Sequence, residues 1–120
     1  MDNLDKEKIE QIIKTRKKAH TYYAQKSPVY NAFLAMEHTA YTNGKLTKLQ
    51  KELIAIGISV VINCESCMEW HIKQALDAGG TEDAILEAIE VGIEMAGGPA
   101  TASARFAMHV LEYYAKPKGN

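Results

Sequence analysis

The sequence predicts an all-α domain of about six helices joined by short connections, a helical bundle. Three observations carry this expectation. Apolar residues recur with a helical period, capping residues precede those runs, and Gly, Pro and Asn punctuate between them. No internal repeat, low-complexity tract or linker interrupts the chain, so residues 1–120 read as a single domain.

Residues 5–24 form a charged first helix with Ile9, Ile12, Ile13, Tyr22 and Tyr23 at its apolar positions. Lys14, Arg16, Lys17 and Lys18 make a basic cluster on it, read as a solvated face, with an acidic partner as the sharper alternative. Ser27-Pro28 starts a second helix, with Ser27 at the cap and Pro28 at the first helical position. That helix carries Val29, Tyr30, Phe33, Leu34, Met36 and His38 and is expected to end at Asn43-Gly44. Thr47 and Gln50 form a capping box for a third helix reaching Ile62. Its face is Leu49, Leu53, Ile56 and Val60, with Ile54 and Val61 beside it, wide enough to be largely buried.

Asn63 is expected to cap a fourth helix over residues 64–78, which Gly79-Gly80 ends. Thr81 caps a fifth, with Glu82 and Asp83 where the helix dipole favours anions. Ile85, Leu86, Ile89, Val91, Ile93 and Met95 are expected to make its buried surface. Gly97-Gly98-Pro99 stops that helix and starts a sixth, which runs through Phe106, Val110 and Leu111 to Tyr114. Pro117 and Gly119 read as a frayed tail.

Composition excludes several function classes. A net charge of −1 recruits neither nucleic acid nor an anionic membrane by bulk electrostatics. The longest apolar run, residues 53–62, is too short to span a bilayer. Met1-Asp2-Asn3 leads straight into a charged helix with no secretory signal, which makes the cytoplasm the expected compartment. Two cysteines three residues apart are poor structural staples in a reducing compartment, so metal binding or redox catalysis is the better account of them.

The chemistry concentrates in residues 52–71. Cys64 and Cys67 stand in C-x-x-C spacing, His71 follows by four residues, and Glu52 precedes the pair by twelve. On a helix opened by Cys64, the two thiols lie about 60° apart around the axis, and Cys67 and His71 about 40° apart. Thiols one turn apart can join in a disulfide with little backbone movement. Free amides and partial positive charge at a helix N-terminus stabilise a thiolate, the nucleophile for a peroxide or a disulfide. His71 is in i,i+4 reach of Cys67 and suited to move its proton. Glu52 comes from the preceding helix; a proton relay through His71 or water would explain an inward carboxylate, and a place on the polar flank is its bland alternative.

Rival readings use the same residues. Cys64, Cys67 and His71 form part of a zinc site, although structural zinc wants four ligands and no second pair follows. His20, His38 and His109 have no spacing partner and read as surface or satisfied residues. Tyr113, Tyr114, Met36, Met95 and Met108 read as packing. No basic carboxylate clamp is evident near the motif.

The pattern of a Glu, eleven residues, C-x-x-C, three residues and His, present as Glu52, Cys64, Cys67 and His71, resembles the AhpD-like proteins of the carboxymuconolactone decarboxylase superfamily. The resemblance covers roughly residues 45–111 and includes the break at Gly97-Gly98-Pro99. It implies an AhpD-like helical bundle completed by oligomerisation into trimers or hexamers. It implies alkylhydroperoxidase or disulfide-reductase activity on a hydroperoxide or disulfide, with an external dithiol as reductant and no cofactor. Carried over, Cys67 is the attacking thiolate, Cys64 the resolving thiol, and Glu52 with His71 the proton relay. AhpD proper has a His directly before the second cysteine; here Ser66 stands there, a minor relay at most, because a hydroxyl holds no charge near neutral pH. The decarboxylase side of the superfamily offers a lyase alternative. Wide apolar faces on the third and fifth helices give oligomerisation an independent physical motive.

Overall fold

The computed structural model describes residues 2–115, so the expected tail at Pro117 and Gly119 lies outside the described residues. Six α-helices and no strand are found among them: α1 (Asn3–Lys26), α2 (Pro28–Ala40), α3 (Lys48–Val61), α4 (Glu65–Asp77), α5 (Glu82–Ala96) and α6 (Gly98–Tyr114). The fold class and the helix count match the sequence expectation.

Four of the starts follow local polar chemistry. Asp2 accepts from the amide of Asp5, Ser27 from Tyr30 and Thr81 from Ala84. At α3 the capping box closes both ways: Gln50 N–H donates to Thr47 Oγ1 at 3.1 Å, and Thr47 N–H donates to Gln50 Oε1 at 2.8 Å. Each such cap is worth about 1 kcal/mol.

Two boundaries differ from expectation. α2 stops at Ala40 rather than at Asn43-Gly44, because Asn43 is engaged elsewhere: its side-chain oxygen accepts from Lys48 N–H at 2.6 Å. Asn63 does not cap α4. It takes a left-handed conformation, φ 53°, which Asn tolerates better than most residues. Cys64 N–H then donates to Ser59 carbonyl at 3.0 Å, and Asn63 N–H to Val60 carbonyl at 3.2 Å, a Schellman ending for α3. The next residue, Cys64, is itself the cap of α4. One tight turn therefore couples the helix bearing Glu52 to the helix bearing Cys67 and His71.

The core gathers Ile56 and Val60 of α3, Met68 and Ile72 of α4, Ile85 and Ile89 of α5, and Phe106 and Val110 of α6, with Ile9 of α1. α3 and α5 approach most closely. A side chain at Gly92 would put its Cβ 2.6 Å from Gly57 carbonyl, so only glycine permits this contact. α1 lies across α4 and α6, and α2 packs along α1 and approaches no other helix.

The expected buried face of α5 is only half right. Ile85 and Ile89 are buried and Ile93 packs partly against the core, but Leu86, Val91 and Met95 are exposed. On α3, Ile54 and Val61 are exposed as well. The apolar band on each helix is wider than the one core it can reach.

Candidate active site

Cys64 and Cys67 are joined in a disulfide, with α-carbons 5.2 Å apart. As the cap of α4, Cys64 Sγ accepts from the amide of Cys67 at 3.2 Å. The helix N-terminus thus delivers a backbone donor and its positive dipole end to the Cys64 sulfur.

Glu52 is 1% exposed, which settles its direction: it faces inward. His71 Nδ1 donates to Glu52 Oε1 at 2.7 Å, and Lys48 Nζ donates to Glu52 Oε2 at 2.6 Å. Both carboxylate oxygens are therefore satisfied, as a buried charge requires. The Tyr41 ring lies 5.2 Å from the His71 ring, and Lys48 Nζ lies over the Tyr41 ring at 5.8 Å. Burial first, and then the carboxylates of Glu52 and Glu37, hold the Tyr41 hydroxyl above its ordinary value.

A cavity of about 670 Å³ opens over the start of α4. Cys67, Ser66, Trp70 and His71 form its α4 wall, and Cys64 does not line it. α2 contributes Tyr30, Phe33, Leu34 and Glu37, and α1 contributes Arg16, Lys17, His20 and Thr21. The two thiols are thus inequivalent: one faces the cavity and the other accepts the helix amide. Ser66 is exposed at the rim.

Behind this wall lies a second buried carboxylate that sequence reasoning missed. Glu69 is fully buried and receives hydrogen bonds from Arg16 of α1 and Tyr114 of α6. Burial, and then the hydrogen bond to Glu69, push the Tyr114 hydroxyl well above its ordinary range. The Arg16 guanidinium also stacks over the Trp70 ring at 4.9 Å. Arg16 is therefore not part of a solvated face, although Lys14, Lys17 and Lys18 are exposed as expected. Arg16 and Lys17 also bring basic groups to the cavity that the motif's own neighbourhood lacks. The signal for Glu69 was present: it shares the α4 stripe of Met68, Ile72 and Ala75, where an acid needs a partner.

Two of the three other histidines, His20 and His109, have side-chain partners outside the site, and His38 is exposed. His20 Nδ1 lies 2.9 Å from Tyr30 Oη, and His109 lies near Asp5 and Glu112. Among the described residues, no group of three or more His, Cys, Asp and Glu is arranged to hold a metal ion, and no helix is long and apolar enough to cross a membrane.

Comparison with known proteins identifies the relatives of this chain. The chain is 42% identical over 82 residues to "Uncharacterized protein 4 in cox locus" of Paracoccus denitrificans, a match covering 68% of this chain and 74% of that one. It is 34% identical over 84 residues to an uncharacterised protein of Cupriavidus necator, covering 70% and 72%. Its fold is similar to apo-lpg0406, a carboxymuconolactone decarboxylase family protein from Legionella pneumophila, with TM-score 0.78 and 27% identity over 89% of this chain and 94% of that one. A family protein from Thermotoga maritima shares the fold, with TM-score 0.78 and 22% identity over 85% and 87%. The family profile matches residues 27–109, the span that holds Glu52, Cys64, Cys67 and His71, and the chain belongs to the carboxymuconolactone decarboxylase family.

Proposed function

We propose that the protein is a thiol-dependent oxidoreductase, a hydroperoxide or disulfide reductase, that cycles the Cys64–Cys67 pair. The observation that carries this reading is the inequivalence of the two sulfurs. Cys67 lines the cavity beside His71, whose Nδ1 is tied to the buried Glu52, while Cys64 is held by the helix amide away from it.

In the reduced enzyme His71 takes the proton of the Cys67 thiol through Nε2, with Glu52 stabilising the imidazolium. The Cys67 thiolate attacks the terminal oxygen of a hydroperoxide. The O–O bond breaks, the alkoxide takes the proton from His71 and leaves as an alcohol, and Cys67 becomes a sulfenic acid. Cys64 then attacks Cys67 Sγ, forming the disulfide and releasing water. An external dithiol restores the pair: its thiolate attacks Cys67 Sγ, the sulfur facing the cavity, and Cys64 leaves as a thiolate; the second thiol of the dithiol then attacks the reductant's own sulfur in the mixed disulfide, closing the reductant's disulfide and releasing Cys67. A leaving thiol departs faster when its thiolate is stabilised, and the amide of Cys67 with the α4 dipole does this for Cys64. Ser66 serves at most as a hydroxyl relay at the rim.

Arg16 and Lys17 on the cavity wall favour one second reading, a lyase acting on a carboxylate-bearing lactone. Arg16 is already committed to Glu69, which weakens it as a clamp.

Intact mass and free-thiol titration before and after one equivalent of peroxide test the first reading. The reduced protein is expected to lose both thiols and two hydrogens, reversibly with a dithiol. Cys64→Ser is expected to gain one oxygen on Cys67, and Cys67→Ser to lose peroxide reactivity. Unreactive thiols, or muconolactone turnover that survives alkylation of both cysteines, would move the conclusion to the lyase.

A further inference from the structure

Trp70 is the single tryptophan of the chain, and it stands on the cavity wall three residues after Cys67. Residues three apart on a helix have Cβ atoms about 5–6 Å apart, so a group resting on the indole lies beside the Cys67 sulfur. The indole is partly exposed, and the Arg16 guanidinium lies over its ring, 4.9 Å from the centroid. Arg16 is held in turn by Glu69, which is fully buried and also accepts from Tyr114. A buried ion pair is weak evidence for stability, because apolar packing of the same volume does as well. What this pair does locally is keep a flat cation in one orientation against the indole. Arg16 and Tyr114 both lie outside residues 27–109, the span that the family profile matches, while Glu69 and Trp70 lie inside it. The first and last helices of this chain therefore close the stack.

We propose that Trp70 selects the substrate by stacking on the ring of a neutral aryl hydroperoxide, and that Arg16 is a positioning residue that fixes the indole for it. This role rests on the hydroperoxide-reductase reading above and narrows it to one substrate class. Size, shape and charge each support that occupant. A cavity of about 670 Å³ falls in the range of sites for organic ligands, about 300–1,000 Å³. Tyr30, Phe33 and Leu34 of α2 line the same cavity as Trp70 of α4, so a flat apolar group meets aromatic surface from two helices. The lining charges offset one another. Glu69 matches Arg16, which leaves the guanidinium as a stacking partner rather than an anion clamp. Lys17 of α1 and Glu37 of α2 are opposite in sign, and neither joins an ion pair among the described residues. A neutral substrate needs no counter-ion there.

Cumene hydroperoxide and tert-butyl hydroperoxide test the role of Trp70, because both are tertiary and differ by a phenyl group in place of a methyl. Each is mixed with the reduced protein, and free thiols are counted after rapid quenching. The ratio of rate constants, aryl over alkyl, is expected to reach about tenfold in the unaltered protein. Trp70→Leu should lower it about 3- to 10-fold, the value of one aromatic stack, and Trp70→Phe should retain most of it. Arg16→Lys keeps a cation for Glu69 but has no flat face. It should lower the ratio and also the fluorescence anisotropy of Trp70, which a merely structural cation would leave in place. Circular dichroism reports that helix content is kept.

Cumyl alcohol, the product of the aryl substrate, serves as an unreactive probe of the oxidised protein. A saturable change in Trp70 emission is expected, weaker in Arg16→Lys and absent with tert-butanol at the same concentrations. If neither hydroperoxide oxidises the pair, the thiol reading fails by itself, and the alcohol titration still decides the role of Trp70. An aryl-to-alkyl ratio near one, a ratio that survives Trp70→Leu, or a titration without saturation would each overturn that role. An Arg16→Lys protein with unaltered ratio and anisotropy would overturn the positioning role of Arg16.

Discussion

His71 Nδ1 lies 2.7 Å from Oε1 of Glu52, nineteen residues earlier in the chain. The carboxylate accepts, so Nδ1 carries the hydrogen, and Nε2 is left as the nitrogen that can exchange a proton in the cavity. Lys48 holds the other carboxylate oxygen, so the imidazole is fixed in both orientation and tautomer.

Replacing Glu52 by Gln should therefore impair chemistry more than folding. The new amide can accept from His71 Nδ1 but cannot stabilise the imidazolium. Oxidation of the reduced cysteine pair by peroxide is expected to slow by about 10²-fold, in the range of a lost acid–base group. Stopped-flow measurement across pH checks this. An unchanged rate would remove Glu52 from the relay.

Arg16→Ala should destabilise more than Glu69→Gln. The first leaves a fully buried carboxylate with no cation, and the second keeps an acceptor for Tyr114. Because Arg16 is 30% exposed, the cost should fall below the about 3–5 kcal/mol of a fully buried pair, at about 2–3 kcal/mol. Urea unfolding of both variants measures the difference. Equal losses would mean that the carboxylate, not the pairing, matters.

Alkali should unfold the protein through Tyr114. Its folded pKa is raised, so the folded state holds the phenolic proton more tightly than the unfolded chain does. That stability is fully present below the unfolded value of about 10 and is lost as pH rises above it toward the folded value. Thermal melts from pH 9 to 12 should show a falling midpoint. Tyr114→Phe should be less stable at neutral pH but should fall less steeply above pH 10.

Gly92→Ala should open the contact between α3 and α5, since its Cβ would meet Gly57 carbonyl at 2.6 Å. Backbone is the obstacle, so no side chain can yield. The expected loss is about 1–3 kcal/mol, as for overpacked cores, read by denaturant midpoint. A neutral result would show that the helices separate at little cost.

Local rules reach far along this chain. Ser27, Thr47 with Gln50, and Thr81 announce three helix starts, because a cap is decided within four residues. The spacing of Cys67 and His71 places them on one side of α4 for the same reason. Asn63 escapes such rules because Asn suits a cap and a left-handed turn equally well, and only the Schellman ending of α3 selects between them. The exposed Val91 and Met95 escape them because periodicity measures how wide an apolar face is, not how much core is available to cover it.

By itself, then, the sequence determined the all-α class and the helix starts at Ser27, Thr47 and Thr81, since these depend on neighbours within one or two turns. Tertiary structure alone decided that Glu52 faces inward, that Arg16 and Tyr114 converge on Glu69 from 53 and 45 residues away, and that Cys67 rather than Cys64 lines the cavity. Those outcomes depend on how helices distant in sequence pack, and a buried charge must find its partner there because water is no longer available to it.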